Sequence, residues 1–322
     1  MQASGNDTAK LTRPIEEHQR LRSMRLLTRA EYRQFLTSHN SVQIGDVEVE
    51  LVRHWKIERI QPVEFLPEEW TVWSFPERGD WATHVGNYRG NWSPYIPRNL
   101  ILKYTVPGDV VCDPMVGSGT ALVECKLLGR AAIGMDVNPD AAMVAMNRTD
   151  FDVEPLVQGE VASEVQIYIG DARNLDRVSS ESIDLVATHP PYSGIIPYSR
   201  GLVVGDLSSL SLPEFVSEIG RFAAECFRIL KPNKHCAILI GDTRKHRHYI
   251  PIHLGILNKF LEAGFVVKED IIKLQHNTKG AREMWNGHKY DFYKIGHEHL
   301  YVFRKPDANE DTTQLKFSNK WW

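Results

Sequence analysis

Residues 110–129 read Val110-Val111-Cys112-Asp113-Pro114-Met115-Val116-Gly117-Ser118-Gly119-Thr120, then Ala121-Leu122-Val123-Glu124-Cys125-Lys126-Leu127-Leu128-Gly129. This is a short buried strand, a sharp glycine-bearing turn, and a helix closed by a glycine at C′. Such a sequence is one half-unit of a nucleotide-binding α/β sheet. Gly117 and Gly119 let the backbone approach a ligand that a side chain would hold off, and the helix start offers free N–H groups. The turn has only two glycines, two residues apart, so it departs from the dinucleotide fingerprint, and a nicotinamide or flavin dinucleotide is not favoured.

A second apolar run delivers Val186-Ala187-Thr188-His189-Pro190-Pro191-Tyr192. Two prolines before a tyrosine make a stiff, extended backbone that cannot continue a strand ladder. With the two stretches in this order, each after a strand, the chain resembles the amino-methyltransferases. These are S-adenosylmethionine (AdoMet) enzymes that methylate an exocyclic nitrogen of cytosine or adenine in DNA. The resemblance rests on Asp113-Pro114-Met115-Val116-Gly117-Ser118-Gly119-Thr120 as cofactor loop and Thr188-His189-Pro190-Pro191-Tyr192 as catalytic loop. It implies an α/β fold, a seven-stranded Rossmann-like methyltransferase sheet that ends in an antiparallel C-terminal hairpin.

The chemistry explains the second motif. The lone pair of an exocyclic amine is delocalised into the ring, so the nitrogen is a poor nucleophile. Two acceptors about 3 Å from it, one side chain at the first position and the carbonyl of the first proline, draw its N–H groups into hydrogen bonds and restore the lone pair. The resemblance gives the tyrosine ring a stacking role on a base flipped out of the duplex. The family carries Ser in cytosine enzymes and Asp or Asn in adenine enzymes where this chain has His189. A neutral imidazole nitrogen accepts one N–H bond, and the ring titrates near neutral pH. Thr188 is closer to the cytosine pattern, which places N4 of cytosine ahead of N6 of adenine. Methylation of an RNA base and a non-catalytic AdoMet- and nucleic-acid-binding subunit are the alternatives.

Other segments fill in the cofactor site. Ala131 to Asp136 is an apolar strand ending in an acid about twenty residues beyond Asp113, the spacing of a carboxylate that accepts from ribose hydroxyls. Asn138-Pro139 opens the next helix. The strand Val165 to Ile169 runs into Gly170-Asp171-Ala172, and the resemblance makes Asp171 the acceptor for the adenine amino group. The cofactor set is therefore Asp113, Pro114, Gly117, Ser118, Gly119, Thr120, Asp136, Asn138, Asp171 and Ala172. Tyr95-Ile96-Pro97, just before the cofactor loop, resembles the motif that walls the methionine end, which adds Tyr95 and Pro97.

The net charge of −3 and a pI near 6.5 give no overall basic field, so nucleic-acid contact has to come from local patches. Arg200 lies in the loop after the catalytic motif. Arg244 and Lys245 stand in the basic stretch Gly241 to His248, whose two histidines lack further ligands at metal-binding spacing. Lys279, Arg282 and Lys289 interleave with Trp285, Tyr290 and Phe292 in a long loop, 275–299, which suits phosphate contact with base stacking and is the candidate target-recognition loop. No metal is expected.

Three regions follow. Residues 1–80 form an extension with a basic helical start, a Thr28/Glu31 capping-box pattern and a hairpin around Gly45-Asp46. Residues 81–305 form the catalytic domain, with an amphipathic helix from Pro213 carrying Phe215, Ile219, Phe222, Cys226 and Ile229. Residues 306–322 are a polar, mobile tail. The four cysteines, Cys112, Cys125, Cys226 and Cys236, lie in apolar segments without a C-x-x-C pair and read as buried thiols of a reducing cytoplasm. No run approaches a membrane span. The expected partner is DNA; without an evident recognition domain, a homodimer or a partner nuclease is the further expectation.

Overall fold

The computed structural model describes residues 21–152, 163–192, 203–276 and 291–319. In chain order the elements are β1 (Arg25–Leu26), α1 (Arg29–Ser38), β2 (Ser41–Ile44), β3 (Val47–Glu50), β4 (Val72–Ser74), α2 (Tyr95–Tyr104) and β5 (Val110–Asp113). Then come α3 (Thr120–Leu127), β6 (Ala131–Asp136), α4 (Pro139–Thr149), β7 (Val165–Ile169), β8 (Ile183–Thr188) and α5 (Leu212–Ile229). The chain continues through β9 (Leu230–Ile240), β10 (Thr243–Lys245), β11 (His248–Ile250), α6 (Ile252–Glu262), β12 (Val266–Leu274) and β13 (His297–Arg304).

One sheet carries nine strands in the order β1, β7, β6, β5, β8, β9, β13, β12, β4. The five strands β7, β6, β5, β8 and β9 are parallel, and β13 runs antiparallel between β9 and β12. The expected seven strands are therefore joined by two more. β1 adds antiparallel outside β7 and β4 adds parallel outside β12. Segments of two and three residues are too short to leave an alternation pattern in a sequence. The region before residue 81 thus supplies both edges of the sheet. Its hairpin, β2 with β3, packs on α4 through Val42, Ile44 and Val49, and Thr28 and Glu31 cap α1 reciprocally.

From β5 the sheet grows one way through β6 and β7 and the other way through β8 and β9. The boundary between β5 and β8 is a topological switch point, where α/β sheets open a crevice outside the carboxyl ends of the strands. β8 is buried along its whole length, as a central parallel strand has to be. Its one charge, Asp184, accepts from Lys231 Nζ at 2.8 Å, Lys234 Nζ at 3.0 Å and the Val110 N–H at 3.1 Å. One face of the sheet packs α2, α3 and α4; the other packs α5 and α6, where Phe215, Ile219, Phe222, Cys226 and Ile229 are all fully buried. Burying each large side chain of that stripe stabilises the fold by roughly 1.5–3 kcal/mol. All four cysteines are free and buried. Among the described residues no helix is long and apolar enough to cross a membrane.

The stretch after Pro306, expected to trail off, docks along its described part. Arg304 pairs with Glu310 and the Val267 N–H donates to the Ser318 carbonyl at 2.9 Å. Trp321 and Trp322 lie outside the described residues.

A buried charge cluster fastens the segment before α2 to α3. Glu124, with no exposed surface, accepts from Trp81 Nε1 at 2.7 Å and from Arg98 at 2.8 Å, and sits 2.7 Å from His84 Nε2. Glu124→Ala strands three buried polar partners and is expected to cost about 3–5 kcal/mol in chemical denaturation, the scale for breaking a buried pair; Glu124→Gln, which keeps the shape, is expected to cost less.

His235 on β9 has neither ring nitrogen hydrogen-bonded and lies 4.4 Å from the Tyr104 ring. Burial, helped by Lys268, Arg304 and Lys234, pushes it down to about 4. Between that value and the ordinary histidine value near 6.5 the unfolded chain binds a proton that the folded chain does not. Wild type is therefore expected to lose stability relative to His235→Phe as pH falls through this window, and denaturation midpoints of the two proteins against pH check it.

Candidate active site

At the switch point a cavity opens between the loop after β5, the end of β6, the turn after β7 and the loop after β8. Asp113, Pro114, Gly117, Ser118, Thr120, Asp136, Asn138, Asp171, Ala172, His189 and Pro191 all line it. Two motifs about seventy residues apart in sequence, brought side by side by parallel pairing, thus share one wall.

The glycines act as the loop requires, each differently. Gly117 has φ +50 and faces the cavity, where a Cβ would meet the Tyr88 ring at 3.3 Å. Gly119, at φ +83, caps α3 away from the cavity, and a Cβ there would meet the Ala145 backbone at 3.1 Å. Its contribution is close packing of α3 on α4 instead of contact with a ligand.

The acids hold the loops in place. Asp136 accepts from the Gly117 N–H at 3.0 Å and from the Asn138 N–H at 2.9 Å, one bond to each oxygen. A carboxylate has about four acceptor sites, and the Val137 N–H also bears on this one, so only part of its capacity is left open. Burial pushes Asp136 up to about 6. Asp113 accepts from the Met115 N–H at 3.2 Å and the Thr188 hydroxyl at 2.6 Å, and burial pushes it up to about 7. Asp171 is bound by Arg173 through Nε at 2.8 Å and a terminal nitrogen at 2.6 Å, and also takes the Arg173 N–H at 3.0 Å. Little acceptor capacity is left on it for an adenine amino group.

Several expected positions lie elsewhere. Tyr95 and Pro97 do not line the cavity: they form the first turn of α2, and the Tyr95 ring packs on Phe75 at 5.3 Å and on Trp81 at 4.8 Å. The cavity wall comes from the residues just before that helix, Tyr88, Gly90, Asn91 and Trp92. Their concentration of glycine, asparagine and aromatics is visible in the sequence, but their distance from the ligand is set by where α2 starts. Thr188 is fully buried behind the cavity on Asp113. Pro190 is also off the lining.

Tyr192 is likewise not a free stacking platform. Its ring leaves only 3.1 Å to a Cβ built on Gly241, and its hydroxyl sits 2.8 Å from His189 Nε2 and donates to Glu298 Oε1 at 2.7 Å. Glu298 in turn accepts from Lys273 Nζ at 2.8 Å across the paired strands β12 and β13. Trp92, whose ring centre is 6.1 Å from that of His189, is the large aromatic on the cavity wall. Gly205, Asp206 and Leu207 close the far side.

Among the nucleic-acid positions, Lys245 is exposed on the β10–β11 hairpin, whose turn holds His246 and Arg247 at φ 51 and 70. Arg244 is folded inward, donating to the Tyr293 carbonyl at 2.8 Å with its guanidinium 4.8 Å from the Phe292 ring centre. Arg200, Lys279, Arg282 and Lys289 lie outside the described residues. Asp242, His253 and His299 gather nearby, with potential ligand atoms within 4.8 Å of one another. The two imidazoles stack at 4.0 Å and 10°, so their lone pairs leave in parallel planes and do not converge on one ion. His253 donates instead to Asp242 at 2.6 Å, and His299 lies 3.1 Å from Asp270.

Known proteins similar to this chain point to one family. A family model described as DNA methylase matches residues 8–147 and 183–322. The type II methyltransferase M.MjaII of Methanocaldococcus jannaschii is 31% identical over 81 residues, 25% of this chain and 15% of that protein. A tRNA (guanine(10)-N2)-dimethyltransferase of Methanothermobacter thermautotrophicus is 31% identical over 106 residues, 33% of this chain and 29% of that protein. The chain thus matches less than a third of the length of either relative. A SAM-dependent methyltransferase structure from Methanosarcina mazei, 14% identical, covers 64% of this chain and 97% of its own at a TM-score of 0.44. With that family model matching most of its length, the chain belongs to the DNA methylase family of amino-methyltransferases, and its cofactor is S-adenosylmethionine.

Proposed function

We propose that this protein transfers a methyl group from S-adenosylmethionine to the exocyclic amino group of a nucleic-acid base, with N4 of cytosine in DNA as the leading target and N6 of adenine in DNA as the second. The observation that carries the reading is that His189 and Pro191 line the same cavity as Gly117 and Asp136. Asp136 and the glycine turn hold the ribose and methionine portion of the cofactor, which supplies an electrophilic methyl. His189, on the cavity wall, accepts one of the amino hydrogens, which draws the nitrogen lone pair out of the ring. Trp92 offers a face for an unstacked base, because it stands on the cavity wall while Tyr192 is tied down. Burial pushes His189 down to about 4 against the opposing pull of Glu298, so its ring is neutral, and an acceptor, at physiological pH. The exposed basic hairpin begins two residues after Gly241, which touches Tyr192. That places its charges near the strand ends where a phosphate backbone would run.

Methylation of an RNA base is a second reading, favoured by the similarity to the tRNA (guanine(10)-N2)-dimethyltransferase. Incubation with labelled AdoMet and, in parallel, genomic DNA and total RNA, followed by nucleoside mass spectrometry, separates these cases. N4-methylcytosine is expected in DNA; N6-methyladenine there would move the target base, and label confined to RNA would move the substrate. AdoMet binding without transfer to any nucleic acid would sink the proposal in favour of a binding subunit.

Two substitutions divide the roles. Asp136→Ala is expected to weaken AdoMet binding at least about tenfold, or ~1.4 kcal/mol, by calorimetry. Tyr192→Ala is expected to spare binding and slow transfer. An equal loss of affinity in both would contradict the division. Wild-type affinity is also expected to fall as pH drops through about 6, where Asp136 takes up a proton and loses acceptor capacity.

A further inference from the structure

Resting on that reading, we propose that Glu298 and Lys273, which do not line the cavity, are positioning residues that fix the tautomer of His189 and thereby make its Nδ1 the atom that accepts the target amino hydrogen.

The argument is an inventory of donors. Glu298 is buried, which by itself would raise it, but the Lys273 ammonium beside it, with His189 and the Tyr192 hydroxyl, holds it below the ordinary carboxylate value. An ionised carboxylate only accepts. The single Tyr192 proton therefore goes to Glu298 Oε1 at 2.7 Å. The phenolic oxygen, 2.8 Å from His189 Nε2, is left as an acceptor, so Nε2 carries the imidazole proton. A neutral ring protonated on Nε2 has its lone pair on Nδ1. Nδ1 is buried, on a residue of the cavity wall, and makes no bond of full hydrogen-bond geometry, the Gly90 carbonyl being the backbone group that faces the ring. An unsatisfied buried acceptor is costly to fold, and an amino N–H entering the cavity would satisfy it.

The same wiring handles the proton released by the reaction. As the methyl–sulfur bond breaks and the carbon–nitrogen bond forms, the amino nitrogen holds one proton too many. Nδ1 takes that proton, Nε2–H stays on Tyr192, and the resulting imidazolium faces the Glu298 carboxylate. The groups facing the ring are Glu298 and Lys273 from β13 and β12, Tyr192 from its own loop, and the Gly90 carbonyl from the loop before α2. Burial opposes the charged ring most, and Lys273 adds to that, whereas Glu298 and Gly90 favour it. The proton then leaves to solvent with the product.

Glu298→Gln gives a sharp test. Lys273 only donates, so it holds the amide oxygen, which leaves the amide NH2 facing Tyr192. The Tyr192 hydroxyl must then donate to His189 Nε2, and the imidazole proton moves to Nδ1. Nitrogen-15 NMR of histidine-labelled protein, without substrate, is expected to show Nε2–H at His189 in wild type and Nδ1–H in the variant. With AdoMet affinity unchanged, kcat for the methylated nucleic acid is expected to fall about a hundredfold, the scale for losing one preorganised hydrogen bond. Tyr192→Phe, which cuts the relay without altering the strand pair, is expected to give a mixture of tautomers and a smaller loss in kcat. Nδ1–H in wild type, or one tautomer shared by wild type and Glu298→Gln, would overturn the assignment. The NMR readout needs no turnover, so it fails or succeeds independently of whether the target proves to be a DNA or an RNA base.

Discussion

The hydrogen bond from the buried Thr188 hydroxyl to Asp113 Oδ1, 2.6 Å long, ties the Pro-Pro loop after β8 to the glycine loop after β5. It exists because β5 and β8 are paired in parallel, Val111 against Leu185 and Cys112 against Val186, so that both strands end at the same level. Neither loop could hold its shape alone. Pro190 and Pro191 make one stiff but leave it without ladder bonds, and Gly117, at a positive φ that other residues rarely adopt, makes the other close-fitting. A second tether, Gly117 N–H to Asp136, fixes the glycine turn from the opposite side. The cavity is the space left between loops held from behind.

That arrangement separates holding from reacting. Thr188, Tyr192, Glu298 and Lys273 are packed or hydrogen-bonded behind the wall, while His189, Pro191 and Trp92 stand on it. Groups fixed in this way need little reorganisation when charge develops at a substrate atom, which is how preorganised sites gain rate. The antiparallel strand β13 has a part in this beyond closing the sheet. It inserts next to β9 and so carries Glu298 to the back of a loop that grows from β8.

The region before residue 81 is structural as well as peripheral. It completes both edges of the sheet through β1 and β4, and edge strands left unpaired are a liability. Tyr32 and Val52 both reach Asn147 on α4, and the Trp81 to His84 turn is clamped on Glu124. The segment that leads from this clamp into α2 forms the cavity wall from Tyr88 to Trp92. The extension therefore positions part of the site.

Local pattern in the chain determined the strand–turn–helix around Gly117, the Pro-Pro loop, the α5 stripe and the Thr28 cap, because each depends on neighbours within a few residues. It also located much of the cavity wall, since Asp136, Asn138, Asp171 and Ala172 sit at or just after the ends of strands that face the same crevice. Tertiary structure alone decided the rest. Tyr95 looked like a wall residue but became the first turn of a helix packed on Trp81. Tyr192 looked like a stacking face, and a carboxylate more than a hundred residues away pulled it out of the cavity. β1 and β4 are strands only because a neighbour offers them hydrogen bonds. Pairings between distant segments leave no periodicity in either one, and so the edges of the sheet and the partner of His189 are properties of the fold, not of the local sequence.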